Sequence, residues 1–525
     1  MRNALLSVAA AALACAGGAH AQTVTKLVPG SAFHGVHGIR FAPDGELYAG
    51  SVIGQSLYSV NVETGAWRVV EPPPKGMADD IAFGPGGQVV WTAISVGTVY
   101  TKRTPKSPVE VLAKDLPGAN SVVFSRDGKH LYLGQVFAGD AVWELDAAGV
   151  KPPRRIVADV GGFNSFDVGP DGALYGPQWF KGQLGRIDPT TGAVTTVADG
   201  FQTPAAAKFG PDGYLYAIDT KIGVLYRVDI KTGAKSKVAQ LTPSLDNMAF
   251  DAKGRLFVSN MSDNGIQQVN LKTGKTRQVI KGALANPYDI AVSTEGGKDT
   301  LYVADGFAYR SVDGQTGKVT TLARAYSDEL ANPNAVGMAG DKVLLVGGGR
   351  IDVRDRVSGK RLSLSEPFRA PTDVVGLPNG DWIVSQAGGE IIRVSGATRT
   401  TIASGLKMPV SLALGPGDSV YVAERDAGKV TRVDLKTGDV TMSADGFDKP
   451  RAIAFTPTGE LVILDVGAKQ VIEFDRAAQS RRVLAKELPV GYLPNAPSGG
   501  IAVGAKGDVY ISSDVENAIY KISPK

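Results

Sequence analysis

Residues Phe201–Leu241 read FQTPAAAKFGPDGYLYAIDTKIGVLYRVDIKTGAKSKVAQL. Four short apolar runs stand between turn signals: Ala206–Gly210, Tyr214–Asp219, Val224–Ile230 and Ala234–Gln240. The turns are Pro211-Asp212-Gly213 and Lys231-Thr232-Gly233. Glycine accepts the positive φ such turns need, and aspartate bonds to its own backbone. In the second run Leu215 and Ala217 alternate with Tyr214 and Tyr216, the period of a strand. The stretch predicts a four-stranded antiparallel meander.

The unit recurs along the chain. Its first strand and turn return as IRFAPDG (from Ile39), IAFGPGG (Ile81), VVFSRDG (Val122), FDVGPDG (Phe166) and MAFDAKG (Met248). They continue as IAVSTEGG (Ile290), VGMAGD (Val336), VVGLPNG (Val374), LALGPGD (Leu412), IAFTPTG (Ile453) and IAVGAKG (Ile501). With the opening stretch this makes twelve copies at a spacing of about 42 residues. A four-strand repeat of that period is the signature of β-propeller blades, because one such sheet buries both faces only by packing on its neighbours around an axis. Unrelated hairpins in a sandwich would not keep a fixed period.

Twelve blades in one ring would leave a wide channel, so the fold class expected is all-β, two tandem six-bladed propellers. Residues 1–21 read as a secretory signal peptide: Arg2, the apolar run Leu5–Cys15, and Ala19-His20-Ala21 before Gln22. A lipid anchor would use Cys15, but Leu13 is one place off the usual position. Cleavage after Ala21 removes the single cysteine, and with it disulfides, thiolate nucleophiles and cysteine-held metals. The expected location is the periplasm or the exterior. A net charge of +4, with no basic run carrying interleaved aromatics, argues against nucleic acid, and no second apolar span follows the leader. A monomer acting on a small molecule or an envelope ligand is expected.

The strand count at the ends suggests a domain boundary inside the sixth repeat. Propeller one is then 22–272, closed by Thr23–Val28 (TVTKLV) beside Gly265–Leu271. Propeller two is 273–525, closed by Thr276–Lys281 beside Ala518–Ser523. Each open edge would be hidden by a strand from the other end of its ring.

In this architecture the connection into each first strand and the loop between second and third strands share one face. The Asp-Gly and Thr-Gly hairpins lie on the other, where His130 is expected to be inert. The residue two before each first strand faces the axis. In ring one these are His37, Asp79, Asn120, Asn164, Ala205 and Asp246; in ring two they are Tyr288, Asn334, Thr372, Val410, Arg451 and Gly499. Converging carboxylate and amide oxygens suit a hard divalent cation, calcium first, with Asp79, Asn120, Asn164 and Asp246 as ligands. His37 and Asp79 are the candidate catalytic residues, His37 as general base. Gln178, Trp179, Phe180 and Asn247 are candidates for substrate binding, the aromatics as a wall for an organic ligand. The competing reading is that Asp and Asn cap strand ends here and that the aromatics pack between blades. In ring two an Arg451–Glu424 ion pair is expected.

Repeats of the form I-A-F-G-P-D-G-x-L-Y, followed by R-V-D-x-x-T-G, resemble the gluconolactonase and senescence-marker family and the wider NHL-type propellers that include virginiamycin B lyase. The resemblance implies a divalent metal at the mouth and hydrolysis of a lactone or ester. The family's Glu, Asn and Asp positions correspond to the ring named above, as at Phe163-Asn164-Ser165-Phe166, but ring one carries no Glu there. The lyase resemblance implies a His and Glu pair, and that Glu too is missing. Three functions stay open: a metal-assisted hydrolase of a lactone or small ester, a lyase at the same mouth, and a non-catalytic propeller that binds a ligand or partner.

Overall fold

The structure is a computed structural model that describes residues 22–492 and 499–524; the leader expected over 1–21 lies outside the described residues. It contains twelve four-stranded antiparallel sheets, as the repeat predicts. Blades one to six begin at Ile39, Ile81, Ala119, Asp167, Pro204 and Leu245, and each uses four consecutive strands. Blades seven to eleven begin at Asp289, Pro333, Pro371, Pro409 and Pro450 and do the same. Blade twelve takes three strands from Ile501 to Ser523 and its fourth, Thr23–Val28, from the other end of the chain. First strands pack on first strands all the way round: blade six returns to blade one, and blade twelve to blade seven. Two six-bladed rings result.

The hairpin chemistry is local and repeats. In the opening stretch Asp212 accepts from the amide of Tyr214 at 3.3 Å and from the Tyr216 hydroxyl at 2.9 Å. Gly213 has φ 81°, and an added Cβ there would meet nothing, so backbone conformation alone selects glycine. At the next turn Asp229 accepts from the amides of Lys231 and Thr232 at 2.8 and 3.3 Å. These aspartates are structural, as the sequence implies. His130, on the same face, lies 2.6 Å from Glu144 and stacks on Tyr132.

Second strands such as Leu47–Ser51 and Leu215–Asp219 are wholly buried, because both sheet faces meet a neighbouring blade. The core is therefore a set of inter-blade layers. Between blades five and six, Ala206, Tyr216, Ile218 and Leu225 pack on Met248, Leu256 and Val258.

Ring closure differs from the expectation. Thr23–Val28 pairs with Ala518–Ser523 and not with Gly265–Val269. The place beside Gly265–Val269 is taken by Thr276–Ile280, the next strand in sequence. A short hairpin costs little closure entropy and fills the edge before a distant strand can reach it. Ring one closes instead by side chains: Phe33, Ile39, Leu47 and Tyr58 pack on Ala249, Phe257 and Ile266. Among the described residues, one compact unit accordingly comprises Ser31–Ala285 together with Arg324–Glu329; the other comprises those up to Gly30, Asn286–Ala323 and those from Leu330.

Candidate functional site

The innermost strand of a blade has a free edge toward the axis, and its N–H groups need acceptors. An aspartate at the start of alternate first strands supplies them. Asp80 accepts from Ile81 at 2.9 Å and from Val122 of the next blade at 3.3 Å. Asp167 does the same for Val168 and Phe209, at 2.9 and 3.0 Å. Asp289 serves Ile290 and Val336, and Asp373 serves Val374 and Leu412. These carboxylates clamp neighbouring blades.

One residue before Asp80, and three before Asp167, lies the ring that the sequence singles out. The amides of His37, Asp79 and Asn164 each bond to a second-strand carbonyl, of Gly50, Thr92 and Pro177, at 2.8, 2.8 and 3.1 Å. The blades thus hold equivalent positions at equivalent depth. His37, Asp79, Asn120 and Asn164 are buried, and Asp246 is partly so. The Asn120 side-chain amide donates to Asp79. Ser121 Oγ donates to Asn120 Oδ1 at 2.7 Å and lies 3.3 Å from Asn164 Oδ1, which also accepts the Ser165 amide at 2.8 Å. Asn120 and Asn164 are therefore held inside a polar girdle that fixes Asp79. Asn247 accepts the Met248 amide at 2.7 Å and donates to Asp80 at 3.2 Å, so it braces blade two from blade six.

The electrostatics follow from crowding acids in a dry place. Burial, then Asp246 and Asp80, hold the Asp79 carboxyl well above the usual carboxylate range. Burial and Asp80 push Asp246 up to about 8. Burial drives the His37 imidazole down to about 4, against a 3.2 Å contact from Nδ1 to Gly35 O. His37 is thus neutral near pH 7 and a weak base, whereas both acids keep their protons to higher pH than an ordinary carboxyl does. Lys208, fully inside ring one, donates to Phe166 O at 2.9 Å; burial lowers its pKa and Asp80 opposes that.

The candidate substrate residues divide. Gln178 is buried and donates to Val160 O at 2.7 Å, a structural bond of its own loop. Trp179 is partly buried, and Phe180 is 59% exposed. Phe137, from the matching loop of blade three, joins them: its ring centroid lies 5.5 Å from Trp179 and 5.8 Å from Phe180, edge-on in both cases. Phe137 has φ 68°, in the left-handed region.

Trp179 also meets a residue that sequence reasoning did not place here. Tyr326 packs edge-on against it at 5.8 Å, and burial, Asp246 and Asp79 together raise its phenol pKa. No sequence signal marks it: between its fourth and next first strand this connection has residues 325–332, no longer than 72–80, 159–166 or 281–288 at other blades.

Could the mouth hold the divalent metal that the resemblance implies? Asp79, buried and raised in part by Asp246, and Asp246, partly buried and raised in part by Asp80, would form when ionised a hard, anionic pair that a cation would relieve, so the two fit. Asn120 and Asn164 spend their amide oxygens within the girdle, which leaves water for the other positions. Among the described residues no three His, Cys, Asp or Glu side chains group as a metal centre.

Ring two is different in kind. Its axis holds a cavity of about 410 Å³ lined by the first strands of all six blades, including Ile290, Val374, Leu412 and Ile453. Asp289 and Asp373 face it, both raised by burial, Asp373 to about 7. Arg451 pairs with Asp514 at 2.9 Å and not with Glu424. Glu424 is already engaged within blade ten by the Lys407 amide at 2.7 Å and by Thr431.

Residues 175–307 match the family described as the SMP-30/gluconolactonase/LRE-like region. The sequence matches no curated protein. The chain is similar in fold to the GH74 xyloglucanase from Xanthomonas campestris, at 12% identity and TM-score 0.53 over 96% of this chain and 100% of that one. A gluconolactonase from Xanthomonas campestris aligns at 15% identity and TM-score 0.39 over 47% of this chain and 89% of that one. From blade four into blade seven, this chain is similar to the gluconolactonase-like β-propellers.

Proposed function

We propose that the mouth of the first propeller is a hydrolytic site for a lactone or other small ester. The observation that carries this reading is the pair of acids at this mouth, Asp79, buried in the girdle of Asn120 and Asn164, and Asp246, partly buried, both raised. We assign this pair one proton near pH 7, Asp79 ionising first, and such a pair can do two jobs. The ionised carboxyl takes a proton from water as its oxygen attacks the acyl carbon. The protonated one gives its proton to the departing alkoxide as the C–O bond breaks. In a lactone the product is the open hydroxy acid. Asn120, through its bond to Asp79, is a positioning residue.

Where a divalent cation, calcium by its preference for carboxylate oxygen, binds, Asp79 and Asp246 would be its ionised ligands in place of acid and base, and the ion would polarise the acyl carbonyl. A chain exported to the periplasm or secreted, as the leader implies, would meet such ions freely. No helix among the described residues is long and apolar enough to cross a membrane.

The test is a panel of γ- and δ-lactones and short esters, assayed with EDTA or with added Ca²⁺, Mg²⁺, Mn²⁺ or Zn²⁺. Turnover that drops by about 10²-fold in Asp79→Asn or Asp246→Asn supports the reading. A second reading, a ligand-binding propeller without chemistry, draws on the exposed rings of Phe137 and Phe180. It is favoured if no substrate turns over with any ion.

A further inference from the structure

The segment Arg324–Glu329 lies beyond the first ring in sequence yet belongs to its compact unit. Its anchors lie on two blades that are not adjacent. At blade six, Arg324 Nη1 reaches Asp263 Oδ1 at 2.6 Å and also bonds Ser262, and Ser244 donates to the carbonyl of Ala325. At blade four, the Tyr326 ring meets Trp179. All four partners sit on mouth-face loops or at the entry to a first strand. A strap that touches blades six and four runs over the mouth face beside blade five, where Trp179 packs on the layer between blades five and six, and its phenol lies within electrostatic reach of Asp246 on blade six and of Asp79 on blade two.

The strap is locally braced and locally strained. Asp328 accepts the Arg324 amide at 2.8 Å and returns its own amide to the Arg324 carbonyl at 3.0 Å. Within these six residues Tyr326 and Glu329 both hold positive φ, 64° and 55°, which side chains other than glycine rarely adopt. Such strain persists where the surroundings enforce it, and it clusters at ligand clamps and switch regions.

We propose that this strap is the gate of the first propeller's mouth and that Tyr326 is its specificity-determining residue: whatever reaches Asp79 and Asp246 must pass or displace that ring. The proposal deepens the hydrolase reading and rests on the same mouth. Small acyl groups would slip past the ring, and long ones would need it moved.

Two arms test it, on the full chain. In the first, Asp79 and Asp246 are labelled with a water-soluble carbodiimide and glycine ethyl ester and followed by mass spectrometry. The exposed carboxyl of Asp445, 65% accessible, serves as the reference. Both acids label several-fold faster in Tyr326→Ala than in wild type, Tyr326→Phe stays slow because it keeps the ring, and Asp445 does not change. Arg324→Ala, which frees one anchor and leaves the ring, also speeds labelling and serves if Tyr326→Ala fails to fold. Equal rates in wild type, Tyr326→Ala and Arg324→Ala would overturn the gate. The second arm compares p-nitrophenyl acetate with the octanoate: Tyr326→Ala narrows the kcat/KM preference for acetate by about tenfold. An unchanged preference would overturn Tyr326 as the determinant. The labelling arm needs no substrate, so it decides the gate even if no ester is hydrolysed.

Discussion

A carboxyl at Asp246 that titrates near 8 leaves a mark on stability. In the unfolded chain an aspartate titrates near 4. Between those values the folded state holds a proton that the unfolded state has lost, so stability falls as pH rises from about 4 to about 8. Below that window the group contributes no penalty, and above it the penalty is complete. Asp246→Asn removes it: at pH 8 the variant should melt several degrees higher than wild type, and the two should converge near pH 4. Parallel melting curves across that range would show that the Asp79–Asp246 pair is not under this strain. Asp167 gives the opposite case. It serves two amides on two blades, and Asp167→Ala leaves both without their acceptor, at a cost of about 2–4 kcal/mol seen in a urea melt.

The elements divide by how far their partners lie in sequence. Hairpins held by Asp-Gly and Thr-Gly turns were legible because each cause lies within six residues, as at Asp212 and Tyr216. The closing strand was legible as an element and misassigned as a partner. Thr23–Val28 carries no mark that prefers one open edge over another, and the competition was settled by Thr276–Ile280 lying one short turn away. In the structure Val24 packs on the layer of Val509, Ile511 and Ile522, and Val28 is fully buried. Removing residues 22–28 should therefore strip blade twelve of its fourth strand, lower stability by about 4 kcal/mol or more and promote aggregation through the bared edge of Ala518–Ser523. A truncated chain that melts like wild type and stays monodisperse would contradict that assignment of the strand.

At the scale of the molecule, two six-bladed rings followed from a repeat of fixed period, and the polar ring of His37, Asp79, Asn120, Asn164 and Asp246 followed from counting back two residues from each first strand. What the count could not supply was the environment. Burial turns His37 into a weak base, the Ser121 bonds turn Asn120 and Asn164 inward, and Gln178 proves to brace its own loop. Tyr326 lay beyond reach because no periodic rule assigns a connection of blade seven to the mouth of ring one. If the acid pair at that mouth performs the proposed chemistry, the pH profile of kcat/KM for the best lactone of the panel carries its signature. Activity should fall as pH rises through about 8, as the pair loses its last proton, and the profile of Asp246→Asn should be lower by about 10²-fold and no longer show that limb. Wild-type activity that ignores this range, or an Asp246→Asn enzyme with the wild-type profile, would contradict it.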